Sequence, residues 1–89
     1  MTQYHFWWDE KNTEHIANHG VEPYEAEEVL DDDPYVLKAG QDKYAAYGQA
    51  SSGRYLLVVF ALKSENRIRV ITARDLTVAE KKRLRRQRK

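Results

Sequence analysis

The spacing of apolar positions changes near residue 34. Before it, the pattern is helical. Ala26, Val29 and Leu30 fall at i, i+3 and i+4, with Glu25, Glu27 and Glu28 on the remaining faces. Pro23 suits the first turn of that helix, and Asp31, Asp32, Asp33 and Pro34 end it. An earlier helix is predicted over residues 10–19 from its ends, with Asp9 placed as an N-cap and Gly20 as a C′ residue. Ahead of it, "YHFWW" is a short aromatic run of strand type.

After residue 34 the texture turns to β. The runs "YVLK", "KYAAYGQ", "RYLLVVFAL" and "RIRVITAR" read as four strands joined by the turns "AGQD", "SSG" and "KSEN". The third run is the longest and most apolar, which predicts a central strand covered on both faces. Thr77 and Glu80 have the spacing of a capping box and open a last helix that runs into a basic tail, residues 76–89. The expected order is β-α-α-β-β-β-β-α. That is an α+β fold, with helices packed on a small, mainly antiparallel sheet.

Length and composition narrow the picture. At 89 residues the chain is expected to form one small domain, residues 1–89, with a thin core. It has no cysteine, so neither disulfides nor thiolate metal sites staple it. The first ten residues lack the form of a signal peptide, and the apolar run at residues 55–62 is too short to span a bilayer. The expected location is the cytoplasm.

The formal charge of +1 conceals a strong separation. Residues 1–33 hold ten acids and one base, whereas residues 34–89 hold fourteen Lys or Arg and four acids. Either the two parts neutralise each other across the fold, or the basic part has an anionic partner.

The strand "RIRVITAR" bears on that choice. Side chains alternate along a strand, so Arg67 and Arg69 share one face with Ile71 and Ala73, and Ile68, Val70, Thr72 and Arg74 share the other. Arg74 thus has the wrong parity to join Arg67 and Arg69, unless it lies past the last rung or beyond a β-bulge that re-aims it. In the neighbouring strand Arg54, Leu56, Val58, Phe60 and Leu62 share one side, and Lys63 lies on the other. Lys63 and Arg67 flank the same turn. Together with Arg69 and Arg74 they predict a cationic patch able to hold several phosphates, and Arg54 is a further candidate for RNA contact. Tyr44, Tyr47 and Tyr55 offer surfaces for unpaired bases.

Other groupings are weaker. His15 and His19 are one helical turn apart, but Ile16 stands where a zinc protease needs glutamate, and no third ligand is evident. No metal and no cofactor is read from the sequence. His19 is placed to favour the helix C-terminus when protonated, and it can serve as a general acid or base. Trp7 and Trp8 point to opposite faces of their strand as packing anchors. The run "EPYEAEEVLDDD" reads as a solvated helix face.

Two stretches resemble one family. "WDEKNTEHIANHGVEPYEAEEVL" is similar to the opening of BrnT-type toxins through Trp8, Asp9, Asn12, His19, Gly20, Val21, Glu25, Glu28 and Val29. "GRYLLVVFAL" and "RIRVITAR", ending in Thr72-Ala73-Arg74, resemble that family's paired strands, and Glu80 matches an acid of its last helix. The resemblance implies a RelE-like fold. It also implies a type II toxin–antitoxin toxin that cuts RNA without a metal, by attack of the ribose 2′-hydroxyl on the adjacent phosphate. The implied partners are a BrnA-like ribbon-helix-helix antitoxin, RNA as substrate, and operator DNA through the antitoxin alone.

On this reading Arg74 stabilises developing charge, Lys63 stands near a family arginine, and His19 and Tyr47 are the candidates for proton transfer. Two positions depart from the pattern: the tail carries Leu84 and no tyrosine, and Gln49 stands where relatives tend to have arginine. A non-catalytic module of the same fold, binding RNA or antitoxin, is the alternative. A metal-dependent nuclease built on His15 and His19 is another.

Overall fold

Local capping fixes the helix ends. A computed structural model describes residues 5–87. Tyr4 of the first predicted strand and Arg88 and Lys89 of the basic tail lie outside the described residues. The first helix, α1 (Glu10–Ala17), starts on Asp9, whose carboxylate accepts from the Asn12 amide while the Asn12 side chain accepts from Asp9. It ends at Ala17, two residues short of the expected end at His19, and the turn that follows closes on Gly20, whose φ of +72° costs other residue types strain. The second, α2 (Pro23–Asp31), starts with proline in its first turn and buries Glu25, Ala26, Val29 and Leu30. The third, α3 (Val78–Gln87), is capped by the Thr77/Glu80 pair, as its spacing predicts.

The strands are β1 (His5–Trp7), β2 (Tyr35–Gly40), β3 (Lys43–Gln49), β4 (Tyr55–Lys63) and β5 (Arg67–Asp75), with a 3₁₀ turn between the last two. They form one sheet in the order β1-β5-β4-β3-β2. Three pairings are antiparallel, but β1 runs parallel to β5, so the sheet is mixed. The apolar β4 is central, as its composition requires.

Helices α1 and α2 cover one face. There Ile16, Val21, Ala26 and Val29 pack on Ala46, Leu56, Val58, Phe60, Ile68, Val70 and Ala73. Gly48 allows this close approach, since a Cβ there would lie 3.0 Å from Val29 Cγ1. Asn12, 3% exposed, ties α1 to two strands through Nδ2, which donates to the Trp7 carbonyl at 2.8 Å and the Val70 carbonyl at 3.0 Å. On the opposite face α3 covers one end only, where Leu76 and Leu84 pack with Tyr47 and Leu57.

One irregularity decides where the arginines go. Val59 pairs with Thr72 and Phe60 with Val70, so Ile71 is an extra residue in β5. This β-bulge inverts the parity beyond it. Ala73 turns into the helix-covered core at 0% exposure, while Thr72 and Arg74 turn to the opposite face. Strict alternation through residues 67–74 therefore fails at Ile71.

Candidate active site and nucleic-acid interface

Strand register assembles the open face row by row. Residues directly opposite in a sheet share a face. Tyr35, Tyr47, Leu57 and Arg74 form one row across β2, β3, β4 and β5. Farther along, Lys43, Ala61, Arg69 and Trp7 form another, and Lys63, Arg67 and His5 the last. The bulge thus brings Arg74 onto the face that already carries Lys63, Arg67 and Arg69. Short side chains at Ala45, Val59 and Ala61 make the floor between them.

Arg74 is held at the border of the part covered by α3. Its Nη1 and Nη2 donate to the two Glu80 carboxylate oxygens at 2.8 and 2.9 Å, and Nη1 also donates to the Asp75 carbonyl at 3.0 Å. Three of its five N–H bonds are spent in this way, which leaves Nε–H and one Nη2–H. The hydrogen bonds to Glu80 raise the Arg74 pKa further, and Tyr47 adds a smaller electrostatic contribution. Tyr47 itself is buried, with its ring 6.0 Å from that of Tyr35.

The same pair holds the Glu80 carboxyl down at about 2, chiefly through the Arg74 hydrogen bonds. Glu80 binds its proton less readily folded than unfolded. Its contribution is therefore complete above the ordinary value of 4.5 and is lost as pH falls toward about 2. With solvent screening at the 39% exposed Arg74 side chain, the loss is on the order of 1–2 kcal/mol. Denaturant unfolding at pH 6 and pH 3 will show that part of the acid sensitivity missing in Glu80→Gln. An equal slope in both proteins would remove the pair from the acid response.

The other cations divide into paired and free. Arg69 is bound by the Asp9 carboxylate through Nη1, with Nη2 at 3.4 Å, and Arg69 in turn lowers the Asp9 pKa. Lys43, Lys63 and Arg67 are exposed, with no carboxylate partner among the described residues.

Arg54 belongs elsewhere. It lies on the helix side, donating to both Asp75 oxygens at 2.8 and 3.1 Å, to the Gly20 carbonyl at 2.7 Å and to Glu25 at 3.1 Å. It clamps the α1–α2 turn to the sheet and does not join the open face. His19 stands in that same turn, its carbonyl 3.4 Å from Arg54 Nη2 and its ring 5.9 Å from the His15 ring. Neither histidine has a third metal-ligating neighbour among the described residues.

Of the tyrosines, Tyr44 faces the helices and stacks on Phe60 at 5.6 Å, and Tyr55 lies under Lys81. The charge separation is partly resolved within the fold, through Arg54–Glu25 and Arg69–Asp9. Two contributors escaped the sequence reading. Lys43 shares parity with Tyr47, a usable signal once the β3–β4 register is known. Asp9, an N-cap by its position, also holds Arg69, a pairing across sixty residues that no local pattern signals.

The architecture, three helices on a mixed five-stranded sheet with one face partly open, is similar to a solved ribonuclease toxin, BrnT of Brucella abortus. The TM-score is 0.69 at 23% identity, over 84% of this chain and 99% of that one, a likeness that speaks for the fold. A search of curated proteins returns no match. The family described as "Ribonuclease toxin, BrnT, of type II toxin-antitoxin system" matches residues 7–80. The chain belongs to the BrnT family of ribonuclease toxins.

Proposed function

We propose that this chain is a metal-independent endoribonuclease, the toxin of a type II toxin–antitoxin pair. The observation that carries this reading is the bulge at Ile71, which sets Arg74 on one face with Lys63 and Arg67 and in line with Tyr47. The ribose 2′-hydroxyl attacks the neighbouring phosphorus, the 5′-oxygen leaves, and a 2′,3′-cyclic phosphate forms. Because the nucleophile belongs to the substrate, the protein has to supply positioning, charge stabilisation and proton transfer.

The free Nε–H and Nη2–H of Arg74 form a fork suited to two phosphate oxygens, while Glu80 fixes the plane of the guanidinium. Lys63, Arg67 and Arg69, with Lys43, hold the flanking backbone. Tyr47, beside Arg74, is the better placed of the two proton-transfer candidates, since His19 lies in the turn on the helix side. Arg54 acts indirectly, by holding that turn. A BrnA-like ribbon-helix-helix antitoxin, with an acidic segment over the cationic face, would silence the site and carry the pair to operator DNA. Such a pair would act in the cytoplasm, where its RNA is.

The purified protein, incubated with end-labelled RNA in EDTA, is expected to leave 2′,3′-cyclic ends. Arg67→Ala should weaken RNA binding and lower its salt dependence by about one ion. Cleavage abolished by EDTA would overturn metal independence. Binding without any cleavage would select the non-catalytic alternative, which the burial of Leu84 in place of a tail tyrosine favours.

A further inference from the structure

We infer that Trp7, flanked by Arg67 and Arg69, is a stacking subsite for an unpaired nucleobase of the RNA strand, separate from the scissile phosphate. The inference rests on the reading of the chain as an RNA-directed toxin. Parallel pairing of β1 with β5 sets Trp7 opposite Arg69 on the open face, and leaves the residue 42% exposed. Trp8 is used differently. It packs against the helix-side core, and its Nε1 donates to Glu27 at 2.7 Å.

A single exposed aromatic residue needs no explanation by itself. The surroundings of Trp7 provide one. The Arg67 and Arg69 guanidinium carbons lie 5.5 and 5.2 Å from the ring centroid, within cation–π range. Asp9, the cap of α1, holds Arg69 in place, so the indole stands against a fixed neighbour and loses little freedom when a base covers it. Arg67 and its cross-strand partner Lys63 are exposed beside it for the phosphate of the same nucleotide.

A flat π-surface beside exposed cations, here Arg67 and Lys63, is the combination that binds single strands, with the ring taking the base and the cations the backbone. An acidic protein segment would satisfy the cations but has no use for the indole. Arg74 lies five positions beyond Arg69 along β5. At the rise of a strand that is about 15 Å, so the stacked base lies a few nucleotides from the bond that Arg74 serves.

The test measures binding without cleavage. Fluorescence anisotropy follows the full chain with short 2′-O-methyl oligonucleotides, which lack the attacking hydroxyl, and with matched oligonucleotides abasic at successive positions. Trp7→Ala is expected to weaken the base-containing strands about 10-fold or more and to leave one abasic strand nearly unaffected, while Trp7→Phe recovers most of the affinity. Equal losses on all strands, no loss on any, or no binding at all would overturn the subsite. So would a Trp7→Ala defect confined to antitoxin binding. The outcomes separate this inference from the catalytic reading. Arg74-dependent cleavage indifferent to Trp7 removes the subsite alone, and Trp7-dependent binding without cleavage removes the chemistry alone.

Discussion

Arg74→Ala should lower RNA cleavage by about 10²–10³-fold in single-turnover assays, the usual effect of deleting a donor aimed at developing negative charge. Binding should fall much less, because Lys43, Lys63 and Arg67 remain to hold the backbone. Arg74→Lys should recover only part of the rate. An ammonium keeps the charge but cannot present two parallel N–H bonds while also bonding Glu80 at both oxygens. Loss of the rate through unfolding can be checked by thermal melting. The Arg74–Glu80 pair is partly exposed, so the variant should lose no more than about 1–2 kcal/mol. A folded Arg74→Ala protein with unchanged cleavage would take Arg74 out of the reaction.

The second large effect concerns stability. Asn12→Ala should destabilise the fold by about 2–4 kcal/mol, with both tryptophans as reporters in urea unfolding. Asn12 is buried, and its amide is fully used: Nδ2 serves the Trp7 and Val70 carbonyls and Oδ1 accepts from the Asp9 amide at 2.8 Å. Alanine leaves those backbone groups without their side-chain partner where water reaches them poorly. In a domain of this size the melting temperature should fall by roughly 10–25 °C. Asn12→Asp should do no better, since a carboxylate has no donor for the two carbonyls. A loss below about 0.5 kcal/mol would mean that solvent replaces the amide without difficulty.

What could be read from the sequence divides by range. The helix starts were legible because Asp9, Pro23 and the Thr77/Glu80 pair act on backbone a few residues away, whereas Gly20 marks the turn after α1 and not its last residue. The central place of β4 followed from its apolar run. The side on which Arg74 emerges did not. It depends on whether β5 spends one residue or two against the Val59–Phe60 step of β4, and only the paired strands decide that. A bulge was one of the two ways to bring Arg74 to the open face, but nothing in "RIRVITAR" marks Ile71 as the extra residue. Arg54 was equally opaque. Its parity placed it away from Lys63, yet its acceptors at Gly20, Glu25 and Asp75 come from three separated parts of the chain. Lys43 and Trp7 became candidates only once register placed them in one row with Arg69.

The parallel β1–β5 pairing bears on how such a protein is made. His5 finds its strand partner at Arg67, so the first strand has nowhere to dock until nearly the whole sheet has left the ribosome. The cationic face is complete only then, because Arg67, Arg69 and Arg74 all lie on β5. A chain that still lacks β5 therefore carries only Lys43 and Lys63 of that patch. Docking of β1 on β5 then closes the sheet edge and sets Trp7 beside Arg69, the last step in assembling that end of the face.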